Sequence, residues 1–200
     1  KRPIGILMTT VQKTISPVDG RVLVQRPLAS DQAIDAVLDA ACSAQVAWRA
    51  TPLGERVEAL NAMVDAFAAQ KMAVAEEITL QMGRPLSQSP GEVGGFVDRA
   101  RTMLALAPTA LADIHPAEQA GFERYIRREP LGVCVGIGAW NYPIQIAAWK
   151  AAPALAAGNT MVFKPSEMTP TTAVKLAEVF TECGLPPGVF NVVQGKGETG

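Results

Sequence analysis

Three apolar runs in the second half of the chain each end in a short cluster of residues capable of chemistry. Val133, Val135 and Ile137 lead into Gly138-Ala139-Trp140-Asn141, and Tyr142 and Pro143 then open a helical pattern. With Pro143 at the first helical position, Asn141 lies just outside the helix at a strand exit, its side-chain amide free to donate to a ligand. Met161 to Phe163 ends in Lys164-Pro165-Ser166-Glu167, again at a strand exit, where open α/β sheets bind dinucleotides. Tyr142 and Trp149 are seven residues apart, two helical turns, and project to nearly the same side. Such a pair either packs in a core or offers ring faces to a cation. Lys150 follows in the same Ala-rich helix, where a lysine stem lies over apolar surface with its amine in water.

The third cluster, Gly195-Lys196-Gly197-Glu198-Thr199-Gly200, spells G-x-G-x-x-G after a strand. The ordinary dinucleotide fingerprint follows the first strand of its fold and expects an acidic residue about 20 positions on, beyond this chain. The pattern alone is a weak signal. None of the three cysteines reads as a nucleophile. Cys42 lies on a helix beside core positions, Cys134 inside a buried strand and Cys183 at a helix end, whereas a reactive thiolate needs an exposed, electropositive setting. His115, the single histidine, sits in a polar connector and supports neither a metal site nor a Ser-His triad.

The elements that must position these residues follow from turn chemistry and periodicity. Ser16 to Arg21 is a turn between short β-prone pieces at Thr14-Ile15 and Val22 to Val24. Ser30 caps a helix whose apolar face is Ile34, Val37, Leu38, Ala41, Ala44 and Trp48. Thr51-Pro52 offers a cap and a first-turn proline to one long helix, buried along Leu60, Met63, Val64 and Phe67 and closed by Gly83 and Pro85. Ser89 and Glu92 have capping-box spacing ahead of a helix with Phe96, Ala100, Met103, Leu104 and Ala107 on one face. Gly121 to Arg128 alternates loosely and suits an exposed strand. A helix from Thr169-Pro170 to Glu182, facing inward with Ala173, Leu176, Ala177 and Phe180, precedes a parallel strand at Val189 to Val193. Strand, helix, strand, with polar residues at both strand exits, is a βαβ unit.

Composition narrows the function. The 200 residues are 48% hydrophobic and 18% charged, which fits a folded chain. A net charge of −1 with no basic run makes nucleic acid an unexpected partner. Three well-separated cysteines suggest no disulfide framework and point to a reducing compartment. Ile4 to Met8 is too short for a signal-peptide core, and Val133 to Ala157 carries too many polar residues for a membrane span.

The wording of Pro130 to Glu167, with Gly-Ala-Trp-Asn-Tyr-Pro and Phe-Lys-Pro-Ser-Glu, closely resembles the NAD(P)-dependent aldehyde dehydrogenases. Within them it is most similar to betaine aldehyde and trimethylaminobutyraldehyde dehydrogenases. The resemblance implies a doubly wound parallel, Rossmann-like α/β cofactor domain, incomplete here, formed by residues 1–121 and 130–200. N-terminal helices precede the sheet, and the strand 122–129 leaves it to join subunits of a homodimer or homotetramer. It implies a longer cytoplasmic enzyme, with catalytic domain, nucleophilic cysteine and general-base glutamate past residue 200.

The same resemblance assigns roles. Asn141 would donate to the oxyanion formed when the thiolate attacks an aldehyde, and Lys150 would support proton relay. Ile137, Gly138, Ala139, Trp140, Asn141, Lys164, Pro165, Ser166, Glu167, Gly195 and Gly197 would border the cofactor. Lys164 and Glu167 would hold the adenosine ribose, which favours NAD without excluding NADP. Tyr142 and Trp149 would line the entry for a quaternary ammonium head. No metal is expected: some relatives bind potassium through an acidic residue where this chain has Gln81. An aliphatic-aldehyde or semialdehyde dehydrogenase, or a non-catalytic nucleotide-binding protein of the same fold, are the competing readings.

Overall fold

The computed structural model describes residues 11–200; the Ile4–Met8 piece lies outside the described residues. Strands β1 (Val11–Ile15) and β2 (Val22–Pro27) form an antiparallel hairpin across the predicted turn. Helix α1 (Asp31–Ala50) starts where Ser30 Oγ accepts from the Ala33 N–H at 3.2 Å, as its sequence predicts.

The next expectation is corrected. Thr51 does not cap a new helix but ends α1, its hydroxyl donating back to Ala47 O, and Pro52 occupies the cap position without a side-chain bond. The single long helix is two, α2 (Leu53–Ala69) and α3 (Lys71–Met82), separated at Gln70 with φ −94° and ψ 16°. A break of one residue leaves the apolar period almost unshifted, so Val74 and Ile78 still face the core with Phe67. That is why periodicity alone reads one helix.

Helix α4 (Ser89–Ala110) buries Phe96, Ala100, Leu104 and Ala107, with Met103 only partly covered. Its capping box does not form. Ser89 is already helical, its hydroxyl shared with Thr79 Oγ1 at 2.8 Å, and the Glu92 carboxylate is used elsewhere. The stretch 122–129 forms no strand by itself. It contributes two isolated antiparallel bridges, Ile114 with Ile126 and Gln119 with Phe122, because no strand within the described residues gives it a ladder.

The second half alternates as expected: β3 (Val133–Ile137), α5 (Pro143–Ala156), β4 (Thr160–Lys164), α6 (Thr171–Glu182) and β5 (Phe190–Val192), followed by a 3-10 turn at Gly197–Thr199. The three strands are parallel in the order β3-β4-β5. Both faces of the sheet are covered. Met161 and Phe163 of β4 point into the cluster made with α5 and α6, while Val162 joins Ala41 of α1 and Val193 on the other side. Central strand β4 is therefore buried at every residue, the mark of a doubly wound sheet. Strand β3 lies at the edge among the described residues, so Cys134 is only partly buried, which corrects its expected place inside a buried strand.

Close approach of α1 to the start of β5 depends on Gly188. Its φ is +86°, and a Cβ there would lie 2.6 Å from Ala40 O and 2.9 Å from Ala44 Cβ. Gly188→Ala is expected to destabilise the fold by about 1–3 kcal/mol, from backbone strain together with displacement of α1. Thermal denaturation measures it; an unchanged Tm would show that this seam yields freely.

Candidate active site

The carboxyl ends of β3 and β4 are joined side by side. Gly138 N–H donates to Lys164 O at 2.8 Å, and the Thr169 hydroxyl donates to Trp140 O at 3.3 Å. Glycine is required at this exit, since a Cβ on Gly138 would sit 2.8 Å from the Phe163 ring and 3.3 Å from Pro165 Cα. The third cluster folds onto the same edge: Lys164 Nζ donates to Gly195 O and to Pro165 O, both at 3.0 Å. The site of Gly200 reaches Ile137 and Lys164, its would-be Cβ 3.1 Å from Ile137 Cδ1. Residues 137–141, 164–167 and 195–197, widely separated in sequence, thus meet at one corner.

Within that corner Lys164 is buried, and two of its three protons are spent on carbonyls. Its third direction faces Glu167, whose carboxylate lies 3.8 Å away and remains partly exposed. The Gln12 side chain bonds to Glu167 O and so ties the β1–β2 hairpin to the turn. The Ser166 hydroxyl accepts from Met168 N–H at 3.2 Å and holds the turn shut.

Pro143 opens α5, as its sequence predicts, and leaves Asn141 exposed just before the helix. Tyr142, at the cap position, makes no capping bond with its side chain. The cap comes instead from α4: Glu92 Oε1 accepts from Ile144 N–H at 3.0 Å, and Glu92 Oε2 pairs with Arg84 Nη1 at 2.5 Å. Burial pushes the Glu92 carboxyl above the usual range, opposed by the Ile144 N–H and the Arg84 charge. Arg84 also donates from Nη2 to Asn141 O at 2.9 Å and lies 4.5 Å over the Tyr142 ring.

Tyr142 and Trp149 are each 45% exposed, so neither is a core residue. Arg99 of α4 lies 4.8 Å over the Trp149 ring. Lys150 turns the other way, its stem running past Gly136 of β3, and the residue is exposed. Sequence reasoning missed Arg84, Glu92 and Arg99. Glu92 carries a local signal that was available, but its capping-box spacing names the wrong helix.

Gln81 is buried at the start of α6. Its Oε1 accepts from Thr171 N–H at 3.1 Å and from the Thr171 hydroxyl at 2.5 Å. Its Nε2 donates to Thr172 Oγ1 at 3.4 Å. Among the described residues no three His, Cys, Asp or Glu side chains gather as a metal site. All three cysteines are free, and burial pushes the Cys134 thiol up. The His115 ring lies 6.4 Å from Tyr125, centroid to centroid, far in sequence from all three clusters.

Comparison with known proteins gives the family. The profile described as "Aldehyde dehydrogenase family" matches residues 8–200. The chain belongs to the aldehyde dehydrogenase family. It is 46% identical over 189 residues to "Betaine aldehyde dehydrogenase 2" of Rhizobium meliloti (strain 1021), covering 94% of this chain and 39% of that protein. A putative aldehyde dehydrogenase from Burkholderia cenocepacia has a similar structure, with TM-score 0.90 and 36% identity over 94% of this chain and 39% of its own. An NADP-dependent glyceraldehyde-3-phosphate dehydrogenase from Bacillus halodurans C-125, complexed with NADP, is similar at TM-score 0.88 and 31% identity, over 94% of this chain and 41% of its own. The chain therefore spans about two fifths of the length of these family members. Among the described residues no helix is long and apolar enough to cross a membrane.

The Gln81 amide does the capping for α6 that Thr169-Pro170 leaves undone. Gln81→Ala removes the acceptor of a partly buried N–H and is expected to lower stability by about 1–2 kcal/mol. Denaturant titration at fixed pH checks it, and a midpoint equal to wild type would show that water or Thr169 substitutes for the amide.

Proposed function

We propose that the protein containing this chain oxidises an aldehyde to a carboxylic acid with NAD or NADP, through attack by a cysteine that this segment does not supply. The observation that carries the reading is the convergence of residues 137–141, 164–167 and 195–197 on one carboxyl edge of a parallel sheet. The corner suits a dinucleotide. It is lined by backbone and small residues at Gly138 and Ala139, and the partly exposed Glu167 carboxylate is read as the acceptor for two ribose hydroxyls. A carboxylate there also disfavours a 2′-phosphate, which supports NAD over NADP. When bound, the nicotinamide cofactor supplies the hydride acceptor.

Asn141 is the oxyanion donor in this reading. It is exposed beside the sheet edge, with its backbone carbonyl already bonded to Arg84 and its side-chain amide outside the helix. Lys164, by contrast, reads as the support of the turn that presents Glu167, since its protons go mainly to carbonyls. Lys150, exposed beside β3, is read as an aid to proton transfer. The segment 122–129, with Phe122, Tyr125 and Ile126 exposed, is read as the element that joins subunits into a homodimer or homotetramer. Three free cysteines agree with a cytoplasmic setting.

For the substrate, the half-exposed Tyr142 and Trp149 and the resemblance to a betaine aldehyde dehydrogenase support a trimethylammonium aldehyde. One observation favours a second reading. A guanidinium already covers one face of each ring, and Arg99 has no acidic partner within salt-bridge distance among the described residues. A fixed cation over Trp149 repels an ammonium head and attracts the carboxylate of a semialdehyde.

Asn141→Ala in the full-length protein is expected to slow single-turnover hydride transfer by about 10²–10³-fold with cofactor affinity near wild type. A loss under about threefold would leave Asn141 as a turn residue only. For the substrate, Trp149→Ala is expected to raise KM for betaine aldehyde roughly 2- to 30-fold more than for a neutral aldehyde of similar size. Equal losses on both would move the assignment to an aliphatic aldehyde or a semialdehyde, and a wild-type preference for a semialdehyde that Arg99→Ala abolishes would select the acidic substrate.

A further inference from the structure

The oxyanion reading leaves open what holds Asn141 in place. Its neighbour Tyr142 caps nothing, and the segment from Trp140 to Tyr142 is exposed. The ordering contacts come from α4 and from the turn before it. Glu92 is fully buried at its side chain; its Oε1 accepts from the Ile144 N–H and its Oε2 pairs with Arg84. Arg84 in turn makes three contacts with one planar group, to Glu92, to Asn141 O and to the face of Tyr142. A planar guanidinium offers its fork to the carboxylate and the carbonyl while its flat face lies over the ring, a fixed geometry that a single ammonium does not reproduce.

Resting on the oxyanion reading above, we infer that the buried Glu92–Arg84 pair is the positioning device of this site: it fixes residues 141–144 so that the Asn141 amide meets the developing oxyanion. The pair acts at two points of the same turn. Glu92 pins the first turn of α5 through Ile144, and Arg84 pins the residue before the helix through its carbonyl. The intervening Tyr142 is held by the guanidinium over its ring. Neither residue touches the reacting atoms in this arrangement, and both act through Asn141.

The simpler view is that the pair only joins α4 to α5, in which case its loss weakens the fold without any special effect on Asn141. A double-mutant cycle in the full-length protein separates the two. Glu92→Gln keeps the size and the acceptor for Ile144 but turns an amide towards Arg84. Arg84→Lys keeps the charge but loses the fork and the flat face. Single-turnover hydride transfer is measured for each, alone and with Asn141→Ala, together with cofactor affinity and Tm.

Each single variant is expected to lose about 10- to 100-fold in the acylation rate, as for a displaced catalytic group, with cofactor affinity within about twofold of wild type. In the Asn141→Ala background the further loss is expected to shrink to under about threefold. Losses that multiply with that of Asn141→Ala would overturn the inference, because the pair would then act independently of Asn141. So would rates near wild type for both variants while Asn141→Ala is slow. If Asn141→Ala is itself near wild type, the oxyanion reading fails and the inference fails with it, an outcome distinct from the other two. Should Glu92→Gln not fold, Arg84→Lys, altered in a side chain that reaches the surface, decides by the same cycle.

Discussion

Helix α5 lies inside the protein, with Ile144, Ala147, Ala148, Ala151, Leu155 and Ala156 all buried, so its two ends cannot be left to water. A helix leaves its first N–H and last C=O groups unpaired, and the two ends carry opposite partial charges. Both ends here are met by side chains, most of them brought from other helices. The Glu92 carboxylate takes the Ile144 N–H at the positive end. At the negative end Trp48 Nε1 donates to Leu155 O and Arg56 Nε to Ala156 O, each at 3.0 Å, while Asn159 and Gln45 serve Ala154 O and Gly158 O. A negative group at the start and a positive one at the end both complement the macrodipole. Burial draws the Arg56 guanidinium down from its ordinary value, so part of that gain is offset by desolvation.

The capping arrangement fixes the site because α5 starts where the candidate chemistry is. Its alanines let α4 approach closely, and Gly95 of α4 leaves room for the Gln145 side chain, whose Nε2 would stand 2.9 Å from a Cβ there. With α4 drawn in, Glu92 reaches the first turn of α5, and Arg84 and Arg99 come to lie over Tyr142 and Trp149. Removing one member of a buried pair such as Arg84–Glu92 typically costs about 3–5 kcal/mol, more than the pair contributes relative to an apolar replacement. The contacts of this pair are therefore read as a source of geometry rather than of net stability.

On the opposite side of the site, the sheet supplies flatness rather than charge. Gly136 and Gly138 lie against the Phe163 ring, and a Cβ on either would approach it within 3 Å. Phe163 is in turn stacked near Phe190 in the core, with centroids 6.3 Å apart. The exits of β3 and β4 thus rest on aromatic packing, and Lys164 ties the last turn across them. A rigid sheet edge on one side and a doubly capped helix on the other leave Asn141 between two fixed bodies.

Much of this was legible from residues alone. The βαβ unit, the Ser30 cap, the opening of α5 at Pro143 and the two strand exits follow from local chemistry, which acts over a few residues and so is written in consecutive letters. The aldehyde dehydrogenase family could be read from the Gly-Ala-Trp-Asn-Tyr-Pro and Lys-Pro-Ser-Glu motifs for the same reason. What the sequence could not specify are pairings across long separations. Serine and glutamate at capping spacing name their own helix, yet Glu92 caps one that begins 51 residues later in sequence, at Pro143. Nothing local sends Gln81 to Thr171, Trp48 to Leu155 or Arg99 to Trp149. The break at Gln70 and the missing strand at 122–129 were hidden differently: one leaves the apolar period intact, and the other depends on a partner that alternation cannot provide. Periodicity says which face of each element seeks cover, and only the packed chain decides which buried polar groups must satisfy one another.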